Sequence, residues 1–386
     1  MKPEETLYSL SKKLNVSEEQ LIKMNPEIKL GFKEGMVLKV PVANMSNKQK
    51  VDLFTTVKKD RKRNLVLLLP FNLNKIETDS LKSQKDYLKE NKFLNLTLDF
   101  YSGAQMAIDS AKVLGLPVHV KILDVESSRS SSNVAQIISK NDFSKVDAVI
   151  GPFMYSHVEN TAQLLSKFKT PVISPLSKEI GLSLDNLFYS IPTQETLTDK
   201  MFQYMKNKSG NVVAVISSKK SSTKDYLTQK YPEVKYPNYD EKGALNVESL
   251  KALMIKGQKN FIILETEKAA LILHTTKALM KFKEEFDVQL VVLELYDTLD
   301  FEEIPMTNLT ELNMLFPSYK KEIDSPAGKI FEKEYKKKNN VNPNSYATKG
   351  FDLTFDTLLR ICQEDGFVPS TKNNISEYVE NTFDYN

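Results

Sequence analysis

From Asn64 onward the chain alternates short apolar runs with amphipathic segments, and this alternation restricts the fold more than any other feature. NLVLLLPF precedes a helical pattern over 104–114, VHVKILDV one over 133–140, and VDAVIGPF one over 158–168. Uninterrupted apolar strands belong to sheets covered on both faces, and helices between them make those sheets parallel. The rhythm continues through TPVIS, NLFYSI, a helix over 197–206, NVVAVIS, a helix over 247–256, NFIILE, a helix over 269–283, VQLVVLEL and LNMLF. It closes with helices over 327–338 and 346–362. About nine strands and eight helices are too many for one small sheet, which predicts two sheets and hence two lobes in an α/β class. The 386 residues agree, because single cores stop growing near about 250–300 residues.

Composition removes several function classes. With 41% hydrophobic and 27% charged residues the chain is globular rather than disordered. Its 53 Lys and Arg against 50 Asp and Glu leave a net charge of +3, too small to draw nucleic acid without clustering. No run reaches the roughly 18–20 apolar residues of a membrane span, and residues 1–30 lack the apolar middle of a signal peptide. A mature exported chain would look the same, so export stays open. The single cysteine, Cys362, excludes an internal disulfide framework; beside Leu358 and Leu359 it is expected to be buried and inert.

Chemistry-bearing motifs are missing. There is neither G-x-G-x-x-G nor a Walker A loop, and His119, His157 and His274 form no metal-binding spacing. Ser156 and His157 are adjacent, but neighbours at a helix start diverge and G-x-S-x-G is absent. No cofactor, metal or catalytic residue is assigned. Fifty acidic residues nonetheless leave paired carboxylates for glycoside cleavage as a third function class.

Three Ser-x-x-Gln/Glu patterns, Ser17/Gln20, Ser102/Gln105 and Ser156/Glu159, read as helix capping boxes. The last two follow strand-like runs, so their hydroxyls would stand at the carboxyl edge of a parallel sheet, where open α/β folds hold ligands; the alternative is that they only cap.

Before Asn64 the texture changes. Residues 1–42 are closely patterned: Leu7, Leu10 and Leu14 on one helix, Leu21 and Met24 on the next, then VLKVPV as a strand. Residues 43–63 (ANMSNKQKVDLFTTVKKDRKR) read as a polar, basic linker. Within it, 58–63 could meet anionic polymers, whereas the basic run at 333–338 reads as a solvated helix face.

Thr6-Leu7, Asn25-Pro26-Glu27-Ile28 and the closing GMVLKVP make residues 2–41 resemble a LysM module, a small βααβ domain that binds N-acetylglucosamine-containing glycans such as peptidoglycan. The family's Gly-Asp is replaced by Glu4-Glu5. The resemblance implies a glycan groove formed by Thr6, Leu7, Asn25, Pro26 and Ile28.

The order LLLPF, DFYSGAQMAIDSAK, VDAVIGPFMYSHVENTAQLL, TPVISPLS, LFYSIPTQ and ATKGFDLTFDTLLR resembles type I periplasmic binding proteins, including branched-chain amino-acid receptors and related activators of cell-wall synthases. The resemblance implies two lobes with a ligand cleft between them, the first at about 64–190 and 317–365 and the second at about 193–313 and 366–386. It implies an abbreviated last crossing, since the chain stops at TFDYN. A ligand carboxylate would meet Ser102, Tyr155, Ser156 and Ser177, and an ammonium Glu265, Glu267 or Asp297, although Lys178 is out of keeping with an amino-acid site. The implied role is a non-enzymatic protein of the periplasm or cell envelope, with a lipid anchor before trimming left open. Its cleft takes a small amino-acid-like ligand or, alternatively, its body docks a protein partner of the envelope.

Overall fold

The computed structural model describes residues 49–386 except 79–87, 89, 90, 180, 241, 242, 296, 301, 302, 322–324 and 386, together with Ile22, Asn25 and Ile28. After β1 (Gln49–Lys50) and a 3-10 turn at Leu53–Thr56 come β2 (Arg63–Leu69), α1 (Leu73–Thr78), α2 (Lys92–Val113), β3 (Val118–Asp124), α3 (Val134–Lys140), β4 (Ala148–Ile150), α4 (Tyr155–Leu165), β5 (Val172–Ser174) and β6 (Leu187–Tyr189). The second lobe holds α5 (Gln194–Asn207), β7 (Asn211–Ile216), α6 (Ser221–Lys230), α7 (Val247–Ala252), β8 (Lys259–Glu265), α8 (Ala269–Phe282), β9 (Asp287–Val291) and α9 (Met306–Glu311). The chain then returns with α10 (Pro326–Asn339), α11 (Ser345–Ile361), α12 (Phe367–Asn373), β10 (Asn374–Glu377) and β11 (Thr382–Phe383).

The first lobe is a parallel sheet in the order β3-β2-β4-β5-β6. Strand alternation sorts its side chains into two layers. Leu65, Leu67, Leu69, Ile150 and Ile173 pack with Phe100, Ala104, Leu353 and Leu358 of α2 and α11. Val66, Leu68, Val149 and Val172 pack with Val134, Val158 and Ala162 of α3 and α4. The second sheet, β7-β8-β9, is also parallel and is covered on both faces.

Helices α2 and α11 touch backbone to backbone. A Cβ at Gly103 would lie 1.8 Å from the Ala347 carbonyl oxygen, and one at Gly350 would lie 2.0 Å from that of Phe100. Neither position has room for a side chain.

Several expectations need correction. LNMLF contributes one bridge, Leu315 to Val291, rather than a strand. The helix expected at 104–114 begins at Lys92, capped by Asn91. The linker's second half is built into the first lobe: β1 pairs with β10, Leu53 is buried in the core, and Lys58 N donates to Cys362 O. The basic run is engaged there, Arg61 with Asp147 at 2.7 Å and the buried Arg63 through Nε to Ile361 O at 2.8 Å. The tail also belongs to the first lobe, where Phe367, Phe383 and Tyr385 join its core, and not to the second. Burial lifts the Cys362 thiol to about 11.

A polar network fixes the tail. Asp356 receives the Arg360 Nε at 3.0 and 2.9 Å, with hydroxyls of Ser376 at 2.6 Å, Tyr378 at 3.1 Å and Tyr385 at 3.2 Å. Arg360 also donates to Ser370 O and Ser376 Oγ, each at 2.8 Å. One turn earlier, Asp352 accepts the backbone N–H groups of Val379, Glu380 and Asn381 at 2.9–3.1 Å and the Asn381 amide at 2.8 Å. Removing one member of a buried ion pair strands the other. Arg360→Met should therefore lower unfolding free energy by about 3–5 kcal/mol, read from urea denaturation; a change below about 1 kcal/mol would show that the network does not hold the tail.

Lys349, on the same helix, donates through Nζ to Ser190 O at 2.8 Å and lies 4.8 Å from the Phe383 ring centre. Burial pushes its ammonium down to about 7 against an ordinary 10.5. Between those values the unfolded chain holds the proton and the folded chain releases it, so stability rises with pH across that window and is lowest below it. Melting curves at pH 6.5 and 9.5 should show wild type gaining about 2–4 kcal/mol relative to Lys349→Met. Parallel pH profiles would refute the depressed ammonium.

Candidate functional site

The carboxyl ends of parallel strands carry no further ladder partners, and the loops leaving them are free to build a site. In the first lobe three such loops are tied together. Asp124, at the end of β3, accepts the N–H groups of Asn72 and Leu73 at 2.9 Å each. Asn72 Oδ1 accepts Ser127 N at 2.8 Å, and Ser127 Oγ shares a 3.0 Å hydrogen bond with His157 Nδ1. His157 is buried, and desolvation moves it below its ordinary value, toward the neutral imidazole. The side chain that meets His157 is therefore Ser127 and not its sequence neighbour Ser156. Sequence reading missed this chain because its members are distant and match no motif.

Tyr155 and Ser156 stand exposed on the first turn of α4, in the loop after β4. Ser156 makes no capping bond; Met154 occupies the N-cap and supplies no side-chain acceptor. Glu159, expected to complete the box, instead accepts Leu182 N at 2.6 Å and ties the loop beyond β5 to α4. Ser177 lies in that loop, which leaves the strand paired with β4. Its hydroxyl closes a local turn, donating to Glu179 O at 3.1 Å and accepting Glu179 N at 3.0 Å. Ser102 is elsewhere, mid-helix in α2 with its hydroxyl on Leu98 O at 2.9 Å, so it neither caps nor reaches the edge.

On the second lobe, Glu265 ends β8. It is buried, and its Oε1 accepts Leu293 N at 2.7 Å. Glu267 is exposed and meets Lys220 Nζ at 2.6 Å; that hydrogen bond holds its carboxyl below the usual range. Asp297 begins a 3-10 turn at Asp297–Asp300. Lys178 Nζ of the first lobe lies 3.5 Å from Glu294 Oε1 of the second, and within the second lobe Gln194 Nε2 donates to Leu293 O. Tyr155, Ser156 and Ser177 thus share one edge, with Lys178 leading from it to the second lobe. In the N-terminal module, Asn25 and Ile28 are buried and Ile28 N donates to Asn25 O at 3.1 Å. Thr6, Leu7, Pro26 and Ser17/Gln20 lie outside the described residues.

Residues 2–41 match the LysM domain family. No curated protein matches the chain. Among solved structures, a protein from Rhodospirillum rubrum assigned to a branched-chain amino acid ABC transporter is 13% identical, with 78% of this chain and 84% of that one covered and a TM-score of 0.52. A branched-chain amino acid ABC transporter ligand-binding protein of Burkholderia xenovorans is 12% identical, with 80% of each chain covered and a TM-score of 0.48. The isoleucine-bound transporter protein of Streptococcus pneumoniae is 19% identical, with 78% and 83% covered and a TM-score of 0.40. The body has the type I periplasmic binding protein fold.

In a periplasmic binding protein fold, side chains reserved for a ligand should face the cleft without internal partners. Glu265 departs from that, because its bond to Leu293 N joins the ends of β8 and β9 within one lobe. Glu265→Ala should then destabilise the protein by about 1–3 kcal/mol, the cost of leaving a buried N–H without its acceptor. The exposed Glu267→Ala should leave stability essentially unchanged. Urea titrations of both variants check this, and an unaffected Glu265→Ala would return that carboxylate to the ligand.

Proposed function

We propose that this protein is a non-enzymatic binding protein of the cell envelope, tethered to peptidoglycan through its LysM domain. Its two-lobed body would bind a small ligand, such as an amino acid or a short peptide, in the cleft between the lobes. The observation that carries the reading is the joining of a glycan-binding module at 2–41 to a body with a binding-protein fold, through a segment that enters the body's own sheet at β1. In this reading Thr6, Leu7 and Pro26 serve the glycan side. The α4 start at Tyr155 and Ser156 receives a carboxylate, since helix N-termini offer unpaired donors and a favourable dipole. Ser177 lies beside it, and Glu267 or Asp297 faces an ammonium. The location follows from the tether: the cell wall side of the membrane. Among the described residues no helix is long and apolar enough to cross a membrane.

A second reading, a scaffold docking an envelope protein such as a cell-wall synthase, is favoured by one observation. Three of the polar groups expected to meet an amino acid are already engaged: Ser177 by its own turn, Glu265 by Leu293 N and Glu267 by Lys220.

Two measurements test the proposal. Purified peptidoglycan sacculi should retain the full chain and release a version lacking residues 1–47; equal retention would end the tether. Across a panel of amino acids, peptides and muropeptides, a true ligand at a hundredfold excess over its Kd should add about 2.7 kcal/mol of stability. A panel without any rise in Tm would replace the receptor by the scaffold.

A further inference from the structure

The outer edge of the first lobe is a strand that nothing in the described structure covers. β3 pairs with β2 on one side and ends the sheet on the other. In a parallel strand alternate residues turn their N–H and C=O groups outward. Among the described residues, no backbone group of 119–123 bonds to anything beyond β2. Open grooves follow the edge on both faces. One, of about 540 Å³, is lined by Val118, Val120 and Ile122 of the strand and Ile108 of α2. The other, about 260 Å³, is lined by His119, Lys121 and Leu123 with Phe143 and Lys145. Exposed, partly apolar edges template the addition of another strand, and proteins commonly guard them with a lysine. Here Lys121 is drawn aside, its Nζ donating to Asn141 Oδ1 at 2.6 Å on one face of the sheet.

The surroundings select the occupant. Lys112 and Lys338 both reach Asp109, at 3.5 and 2.6 Å, and Lys121 and Lys145 stand with Asp142 as the remaining nearby carboxylate. Four lysines against two aspartates leave the edge cationic. A second copy of this chain fits poorly: antiparallel self-pairing about the middle of Val118–Asp124 would set Lys121 opposite Lys121, and like charges directly opposite are destabilising. We infer that β3 is a docking edge for an extended segment of a partner protein whose side chains alternate apolar and acidic. The apolar side chains enter the Ile108–Val120–Ile122 groove and the acidic ones face His119, Lys121 and Lys145. The main chain of the partner supplies the missing ladder, as in strand addition generally. This site is distinct from the candidate cleft residues, which follow β4 and β5, two and three strands in from β3, or about 10 and 14 Å at about 4.8 Å per strand.

The probe is a capped nine-residue peptide alternating Val and Glu, with a Val/Lys counterpart and a version of the first with its residues in two blocks. Fluorescence anisotropy on the full chain should show the Val/Glu peptide binding at least tenfold more tightly than either control. Hydrogen exchange should slow over 118–124 on binding. Lys121→Glu should reverse the preference between the Glu and Lys peptides by at least tenfold, and Lys145→Glu should weaken the Glu peptide severalfold. The inference is overturned if the block peptide binds equally, if protection falls outside 118–124, or if sedimentation shows that the edge is covered by a second copy of the protein. A cleft that binds no ligand would leave these readouts unchanged, so the two proposals fail separately.

Discussion

Asp356 and Arg360 sit one helical turn apart with their side chains fully buried. An ion pair in that environment loses the hydration of both partners, and Coulomb attraction offsets the loss only when the remaining lone pairs and protons are also satisfied. The tail supplies that satisfaction. Ser376, Tyr378 and Tyr385 donate to the carboxylate, while Ser370 O and Ser376 Oγ accept from the guanidinium. The charges of α11 therefore require the tail, and the tail requires the charges. Because β10 belongs to that tail and pairs with β1, the same network also fixes the point where the chain enters the body. Arg63, buried and bonded to Ile361 O, reinforces the arrangement from the first strand of the sheet.

The two-lobed architecture was legible because strands covered on both faces must be apolar along their whole length, and Leu65–Leu69 and Phe261–Leu264 write that requirement openly. The tail was not legible by the same signal. Its burial rests on hydroxyls and carboxylates, and polar residues read in isolation look like solvent-facing ones. A trace existed all the same: Asp352, Asp356 and Arg360 recur every fourth residue of α11, a face too charged for a core and too regular for a loop. The Ser102/Gln105 pattern failed for a related reason. A hydroxyl in a helix can bond the carbonyl four residues back, as Ser102 does with Leu98, so Ser-x-x-Gln does not by itself mark a start.

The strand edge that gathers the candidate site residues was legible, and what their polar groups bond was not. Strand order alone brings the loops after β4 and β5 together, which places Tyr155, Ser156 and Ser177 on one edge. What each polar group bonds depends on distant partners: Leu182 for Glu159, Leu293 for Glu265, Lys220 for Glu267. No spacing rule in one segment reports them. The energetic weight of these bonds is unequal. Lys178 and Glu294 are both substantially exposed, and a pair of that kind contributes at most about 1 kcal/mol. In the proposed cleft a ligand would displace it at little cost, whereas releasing Glu265 would strand a buried N–H. The first lobe's edge would then be the more adaptable side.

Attaching β1 to β10 also limits the reach of the tether. Residues 42–48 are all that separate the LysM match from the body's sheet, and seven residues span at most about 25 Å when fully extended. A module bound to a glycan strand would hold the body within that distance of the polymer, whereas a linker running to Asn64 would have allowed more than twice as much. Short tethers raise the local concentration of whatever the body meets near the wall and exclude partners that lie farther away. With the proposed tether, the body would be held close to the glycan layer by the β1–β10 pairing that the tail network supports: loosening β10 from β1 would return the chain to the longer, freer linker that its basic sequence suggests.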